Sequence, residues 1–221
     1  MEIRLKPDDP MLGLPMTDAY LRWALQAVEE VAGDKGMRVI LRQAGLEHLI
    51  GNYPPNQMVF TGHTFKEYAD LNRAILEFYG RAGASFVRRI GRLSARRSIE
   101  EQDRLFGLGR LALKLMSTNV QLKMGLISMA HGFKTLYKEA GVEVDHRVEE
   151  HEDHFTYSIV HCPCCAGMEA DRPICGMWLG ALYEGGLYIT GGKVFEYREI
   201  ACRALGDPAC VFWISKTPVS G

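Results

Sequence analysis

The sequence predicts an α+β protein in which N-terminal helices pack on an antiparallel sheet with an inserted helix. Two changes along the chain support this fold class. Between residues 17 and 140, apolar residues recur every three to four positions, which is the spacing of amphipathic helices. From residue 142 the apolar residues alternate with polar ones, as in half-buried strands. Because the helices precede the strands instead of alternating with them, an α+β architecture is favoured over a parallel α/β sheet.

Three helices are predicted in the first eighty residues, after an irregular arm at residues 1–16. The first helix spans 17–31, and a glycine separates it from a second at 37–50. Thr64 and Glu67 form a capping box, in which each side chain binds a free backbone N–H group at the helix start. The third helix is therefore expected to begin at Thr64.

Two further helices are expected before the strands, a basic helix at 83–97 and a long one from Ser98 to residue 140. Ser98 and Glu101 have the spacing of a second capping box, which places the helix start at Ser98.

The second half of the chain predicts four strands and one helix. A hairpin joins strands at 142–149 and 154–161, because a polar cluster lies between two alternating segments. A helix follows at 174–187, and strands follow at 193–201 and 210–216.

The composition limits the classes of function. The chain has 221 residues, of which 47% are hydrophobic and 24% charged, as in ordinary globular proteins. A formal net charge of −1 gives no electrostatic footprint for nucleic acid. The N-terminus lacks the apolar region of a signal peptide, and the sequence has no run of about 18 apolar residues. We therefore expect a cytoplasmic protein with no membrane span and no nucleic-acid partner.

All six cysteines follow residue 161, which separates a helical scaffold from a region with chemistry. In a reducing compartment, such cysteines are metal ligands or reactive thiols more often than disulfides. Cys175 opens a helix, Glu199 precedes Cys202 by three residues, and Cys210 follows a Gly-Asp-Pro turn. Three thiolates and one carboxylate would fill the four positions of a closed structural metal site. The alternative, that these thiols are small buried apolar side chains, stays open on spacing alone.

Cys162 and Cys165 form a separate CxxC pair. Such a pair suits a metal site, redox chemistry or covalent attachment. One metal arrangement combines this pair with Cys202 and Cys210 and leaves Glu199 outside. In another interpretation, the pair only closes the end of a strand.

Residues 140–215 resemble the 4-vinyl reductase domain family, and also the sensor module of phenol-responsive bacterial transcription activators. The resemblance rests on a cysteine that opens a glycine-bearing helix, a Glu-x-x-Cys element and a Gly-Asp-x-x-Cys-x-Phe element. These positions are Cys175, Gly180, Gly185, Gly192, Glu199, Cys202, Gly206, Asp207, Cys210 and Phe212. The resemblance implies a zinc ion held by Cys175, Glu199, Cys202 and Cys210.

The resemblance also implies a fold in which a small apolar or aromatic molecule lies between the helices and the sheet. Phe155, Tyr157, Trp178 and Tyr188 are the predicted ligand contacts, although their spacing alone favours ordinary core positions.

The predicted domains are an N-terminal helical extension, residues 1–100, and a 4-vinyl-reductase-like zinc and ligand-binding domain, residues 101–221, within one compact unit. The predicted function is a zinc-stabilised binding domain, sensor or carrier for a small hydrophobic molecule, in a protein that dimerises. An alternative is an accessory or reductase-type protein that handles the vinyl group of a tetrapyrrole in bacteriochlorophyll biosynthesis. A structural interaction module is a third possibility. The sequence contains no recognisable nicotinamide, flavin or catalytic motif, which favours a protein that is not an enzyme.

Overall fold

The computed structural model describes residues 2–113 and 115–219, with the side chains of 102–113 left aside. The helices are α1 (Asp18–Ala44), α2 (Phe65–Tyr79), α3 (Gly83–Leu113), α4 (Thr118–Glu139) and α5 (Gly176–Ile189). The strands are β1 (Ile3–Leu5), β2 (His146–Glu150), β3 (His154–Ile159), β4 (Met168–Ala170), β5 (Tyr197–Ala201) and β6 (Cys210–Ser215).

The first helix joins the two that the sequence predicts at 17–31 and 37–50. It kinks at Gly33, whose φ of 69° lies in the left-handed region that glycine adopts without strain. The helix ends at Ala44 because Gly45, also left-handed, caps it. The predicted interruption is thus a kink, and the predicted end at residue 50 is wrong.

The capping box at the start of α2 is confirmed. The Glu67 side chain accepts a hydrogen bond of 2.9 Å from the Thr64 backbone N–H, and the Thr64 side chain binds the backbone at Glu67 in return.

The predicted helix start at Ser98 is wrong. Helix α3 runs through this position without a break, and the next helix begins only at Thr118. A serine followed by an acidic residue resembles a cap in sequence, but the preceding helical turn here already supplies hydrogen-bond acceptors. Part of this predicted helix, at residues 102–113, lies outside the described side chains. The proposed boundary at residue 100 lies inside α3, and the division into two regions stays a prediction.

The main sheet has four antiparallel strands in the order β2-β3-β6-β5. The predicted hairpin is confirmed as β2 and β3, with Val148 opposite Tyr157. Strand β3 pairs with β6 along its length, from His154 opposite Ser215 to Ile159 opposite Cys210. A second sheet pairs β1 with β4, so part of the predicted irregular arm is a strand.

One face of the main sheet packs against the helices. Alternate residues of β3 and β6 point into this core, as the alternating pattern predicts: Phe155, Tyr157, Ile159, Cys210, Phe212 and Ile214. Helix α5 lies against α3, where Gly91 and Gly180 let the two backbones approach closely. The fold is therefore α+β with an inserted helix, as predicted. Among the described helices, none has the length and apolar composition needed to cross a membrane.

Candidate functional site

Five cysteine thiols form one buried cluster at the end of the sheet. The Cys175 sulfur lies 3.5 Å from those of Cys162 and Cys210, and 3.7 Å from that of Cys202. The Cys165 sulfur lies 3.4 Å from that of Cys210. All five are free thiols, since a disulfide requires sulfurs about 2.05 Å apart.

The cluster draws on four separate parts of the chain. Cys175 is the N-cap of α5, and Cys210 is the first residue of β6. Cys162 precedes the 3-10 turn Pro163–Cys165, which folds the CxxC pair back on itself. Cys202 precedes a second short turn after β5.

Glu199 joins the cluster because it pairs with Phe212 of β6 and so lies on the core face of the sheet. A bulge between Glu199 and Ala201 then shifts the register of β5 with β6. The Oε2 atom of Glu199 accepts a hydrogen bond of 3.0 Å from the backbone N–H of Cys175. Its Oε1 atom is buried and has no hydrogen-bond partner among the described residues. Burial, together with the negative charge of neighbouring Cys202, raises the pKa of the Glu199 carboxyl to about 9.

Burial raises the pKa of the Cys162 and Cys175 thiols, because an isolated thiolate is poorly solvated there. Neighbouring thiols, Cys165 foremost, lower the pKa of Cys202 to about 7. Several thiols, with the largest effect from Cys162, also lower the pKa of Cys210. The backbone N–H of Arg203 lies 3.4 Å from the Cys210 sulfur.

Among the residues that the structure describes, two groups of four have the mutual distances of metal ligands. One is the predicted set of Cys175, Glu199, Cys202 and Cys210, whose ligand atoms all lie within 4.8 Å of one another. The other is Cys162, Cys165, Cys175 and Cys210, also within 4.8 Å. The CxxC pair thus meets Cys175 and Cys210, not the Cys202 and Cys210 of the arrangement considered from the sequence.

A cavity of about 80 Å³ lies between the helices and the sheet. Helices α1 to α5 and the segments flanking the β2–β3 hairpin all contribute to its wall. The aromatic part of this wall consists of Tyr20, Phe65, Tyr68, Phe133, Tyr137 and Trp178.

Two histidines also face the cavity. The His146 ring stacks on Phe133 with centroids 5.0 Å apart, and its Nδ1 lies 3.0 Å from the Tyr157 hydroxyl. Burial lowers the pKa of His146 to about 3, so the imidazole is neutral. The Nδ1 atom of His161 accepts a hydrogen bond of 3.2 Å from the Asp145 backbone N–H, so in the neutral ring Nε2 carries the proton.

Only one of the four residues predicted to contact a ligand is part of the cavity wall. Trp178 is part of the cavity wall, and Tyr157 lies behind it through its contact with His146. Phe155 is buried in the sheet with the Lys216 ammonium group 5.1 Å from its ring centroid, and Tyr188 lies near the end of α5. Sequence reasoning missed most of the wall, because its residues come from five helices whose apolar faces look like ordinary core.

Comparison with known proteins extends the description of the fold. No family model matches the chain, and no curated protein matches it. Among solved structures, an oxygen-binding H-NOX domain related to soluble guanylate cyclases aligns with 93% of this chain and 98% of its own. Its TM-score is 0.54 at 15% sequence identity. The chain has the H-NOX fold.

Two further structures support this assignment. An H-NOX protein from S. oneidensis in the Fe(II)NO state gives a TM-score of 0.53 at 10% identity, over 87% of this chain and 97% of its own. The Fe(II) unliganded H-NOX protein from K. algicida gives 0.55 at 13% identity, over 91% and 97%.

The H-NOX fold corrects two predictions. The resemblance to the 4-vinyl reductase domain family is wrong, because the structures that share this fold are H-NOX domains. The motif behind that prediction covered only residues 140–215, whereas the structural match includes the N-terminal helices. The prediction of zinc as the cofactor is wrong as well, since one of these H-NOX structures concerns heme distortion and another is in an Fe(II)NO state. Thiol spacing indicates a metal-binding geometry, but it does not select one metal.

Proposed function

We propose that this chain is a sensor domain that binds a small, uncharged, apolar molecule in the cavity between its helices and its sheet. The proposal rests on one observation, the aromatic-lined cavity of about 80 Å³. A cavity of about 150 Å³ lined by apolar side chains holds benzene or xenon. Because this cavity has about half that volume, the ligand is a gas or a compact organic molecule smaller than benzene.

The wall favours a ligand without charge. None of the described lining residues is an acid, a lysine or an arginine, and neutral His146 adds no charge. Transfer of an unpaired ion into such a wall is strongly unfavourable. Because Nε2 of His161 carries the proton in the neutral ring, this side chain offers the ligand one hydrogen-bond donor.

A heme does not fit this cavity. H-NOX structures with the same fold include one that concerns heme distortion and one in an Fe(II)NO state. A porphyrin is several times larger than benzene, whereas this cavity is smaller than the one that holds benzene. The ring of His146, a possible axial ligand, is stacked on Phe133 and tied to Tyr157. The same size argument opposes the tetrapyrrole substrate of the alternative function.

Helix α5 connects the cavity to the rest of the fold. Met177, Trp178 and Ala181 form one side of the cavity wall. The same helix also makes close backbone contacts with α3, at Gly91 and Gly180. If the ligand binds more tightly when α5 is in one position than in another, binding shifts the population toward that position of the helix. Such a shift is the minimum that a sensor requires.

Xenon is a suitable probe, with ¹³C-methyl methionine as the NMR reporter. Met16 and Met177 line the cavity, whereas Met124 is exposed on α4. We expect xenon to shift the Met16 and Met177 resonances and to leave that of Met124 unchanged. An absence of shifts at Met16 and Met177 contradicts the proposal.

Two cavity variants sharpen this test. Ala95→Leu places a larger side chain in the cavity wall, and we expect it to abolish the probe-induced shifts. Ala84→Leu, at an exposed position of the same helix, is the control and should keep them. Hemin titration gives an independent check, since a stoichiometric Soret band that is lost in His146→Ala would show that heme does bind.

A further inference from the structure

We propose that the cysteine cluster binds two thiophilic divalent metal ions, bridged by the thiolates of Cys175 and Cys210. This inference concerns the end of the sheet and does not depend on a ligand in the cavity. It starts from the overlap of the two candidate ligand sets. Both contain Cys175 and Cys210, one adds Cys162 and Cys165, and the other adds Glu199 and Cys202.

A thiolate-bridged pair of tetrahedral ions needs two shared ligands and four unshared ones, which is the number found here. Each ion takes both bridging sulfurs and two terminal ligands, so six groups complete two tetrahedra. Cys162 and Cys165 would be terminal on the first ion, and Glu199 and Cys202 on the second. A single tetrahedral ion would use only four of these six groups.

The sulfur positions fit this arrangement. In a tetrahedral site with metal–sulfur bonds of about 2.3 Å, the sulfurs of one ion lie about 3.8 Å apart. The Cys175 sulfur is 3.5 Å from that of Cys162 on one side and 3.7 Å from that of Cys202 on the other. The two bridging sulfurs are 3.5 Å apart, which places the two ions about 3 Å from each other.

Glu199 provides the second observation that points to a ligand. Its Oε2 atom is held by the backbone N–H of Cys175, which aims the carboxylate at the cluster. Its Oε1 atom is buried without a partner among the described residues, and such an atom is unfavourable unless a cation or a donor meets it. A metal ion bound by Cys175, Cys202 and Cys210 meets Oε1 directly.

The ligands that a single ion would leave over support two ions more than one. With one ion, either the CxxC pair or Glu199 and Cys202 would remain without a metal. The second case leaves Oε1 of Glu199 unpaired. The first leaves two sulfur contacts without a metal, that of Cys162 with Cys175 at 3.5 Å and that of Cys165 with Cys210 at 3.4 Å.

Metal stoichiometry of the full chain tests the proposal. The reduced protein, freed of metal by a chelator under anaerobic conditions, is titrated with Co²⁺ and with Cd²⁺. Thiolate-to-cobalt absorption and native mass spectrometry count the ions, and we expect two per chain, one for each ligand set. The ¹¹³Cd NMR spectrum should contain two resonances, from an all-sulfur site and from a site with one oxygen ligand.

Variants separate two ions from one. Cys165→Ser should reduce the count from two to one and remove the all-sulfur resonance. Glu199→Gln, which preserves the shape of the side chain, should weaken the other site and leave the all-sulfur one. Cys164→Ser is the control, because Cys164 is buried beside the cluster but belongs to neither set, and it should keep both ions.

Two results would overturn the proposal of a two-ion site. One ion per chain in the unaltered protein overturns the proposal, whichever set holds it. Two ions that both persist in Cys165→Ser also overturn it, because the second ion then binds elsewhere. If a variant fails to fold, the wild-type stoichiometry and its two cadmium resonances still decide.

Discussion

Cys175 and Trp178 lie three residues apart at the start of α5, and they belong to two different sites. The Cys175 sulfur is central in the thiol cluster, with three other sulfurs within 3.7 Å. The Trp178 ring forms part of the cavity wall and meets Phe133 edge to face, with centroids 5.0 Å apart. Because one helical turn carries both side chains, a shift of this turn changes both sites together.

This connection predicts coupling between the cluster and the cavity. Cys175→Ser should weaken binding of the xenon probe by about fivefold, corresponding to a coupling free energy of about 1 kcal/mol. The affinity is measured from the shift of the Met177 methyl resonance during a xenon titration. Cys164→Ser is the matched control, with unchanged affinity expected. An unchanged affinity in Cys175→Ser would show that the two sites are independent.

The contact between α3 and α5 predicts opposite effects of two glycine substitutions on one helix. A Cβ atom at Gly180 would lie 2.1 Å from the backbone oxygen of Arg88, whereas one at Gly185 would meet no atom within 4 Å. Gly180→Ala should therefore lower the free energy of unfolding by about 2 kcal/mol or more, because the backbones must separate. Gly185→Ala should raise it by up to about 1 kcal/mol, since alanine favours the helix. Urea denaturation measures both, and equal effects would contradict the close helix contact.

The sequence was sufficient for the fold class and for the elements with strong local patterns. The capping box at Thr64 and the alternation in the β2–β3 hairpin depend on neighbouring residues, so they could be read directly. Strand β1 was missed because its three residues gain their hydrogen bonds from Met168–Ala170, far along the chain. No local pattern records such a pairing.

The candidate sites were predictable to different degrees. Spacing drew attention to Cys175, Glu199, Cys202 and Cys210, and the structure does bring these residues together. The bulge between Glu199 and Ala201, which shifts the register of β5 shortly before Cys202, was not visible in the sequence. The cavity was harder still to predict from the sequence, because apolar residues on five helices have the same pattern whether they fill a core or surround a cavity.

The buried carboxylate of Glu184 is expected to contribute more to stability than an exposed ion pair. Its Oε2 accepts a hydrogen bond of 3.0 Å from Arg92, and its Oε1 accepts one of 2.9 Å from Arg96. The Glu184 side chain is 9% exposed, so these charge-assisted bonds are poorly replaced by water. Glu184→Ala should lower the free energy of unfolding by about 2 kcal/mol.

Glu30 provides the matched comparison for this prediction. It pairs with Arg97 on α3 at 2.7 Å, but its side chain is 47% exposed. Glu30→Ala should change the free energy of unfolding by less than about 1 kcal/mol, since solvent screens exposed pairs. Urea denaturation at the same pH compares the two, and similar losses would show that burial does not strengthen the Glu184 interaction.

The depressed pKa of His146 predicts that acid destabilises the fold. Burial, helped by Lys134 and His161 and opposed by Asp145, lowers this pKa to about 3. Between about pH 6.5 and pH 3, the unfolded chain binds a proton at this residue and the folded chain does not. The free energy of unfolding should therefore fall by about 1.4 kcal/mol for each pH unit across that window.

Comparison of pH profiles isolates the contribution of His146. His146→Phe keeps a ring against Phe133 but cannot take up a proton, so its free energy of unfolding should fall less steeply with acid than that of the unaltered protein. Its absolute stability at pH 7 will differ too, because the Tyr157 hydroxyl loses its partner. The slope is therefore the informative quantity. His131→Phe, at an exposed position on α4, should retain the original slope, and equal slopes for all three proteins would contradict a neutral, buried His146.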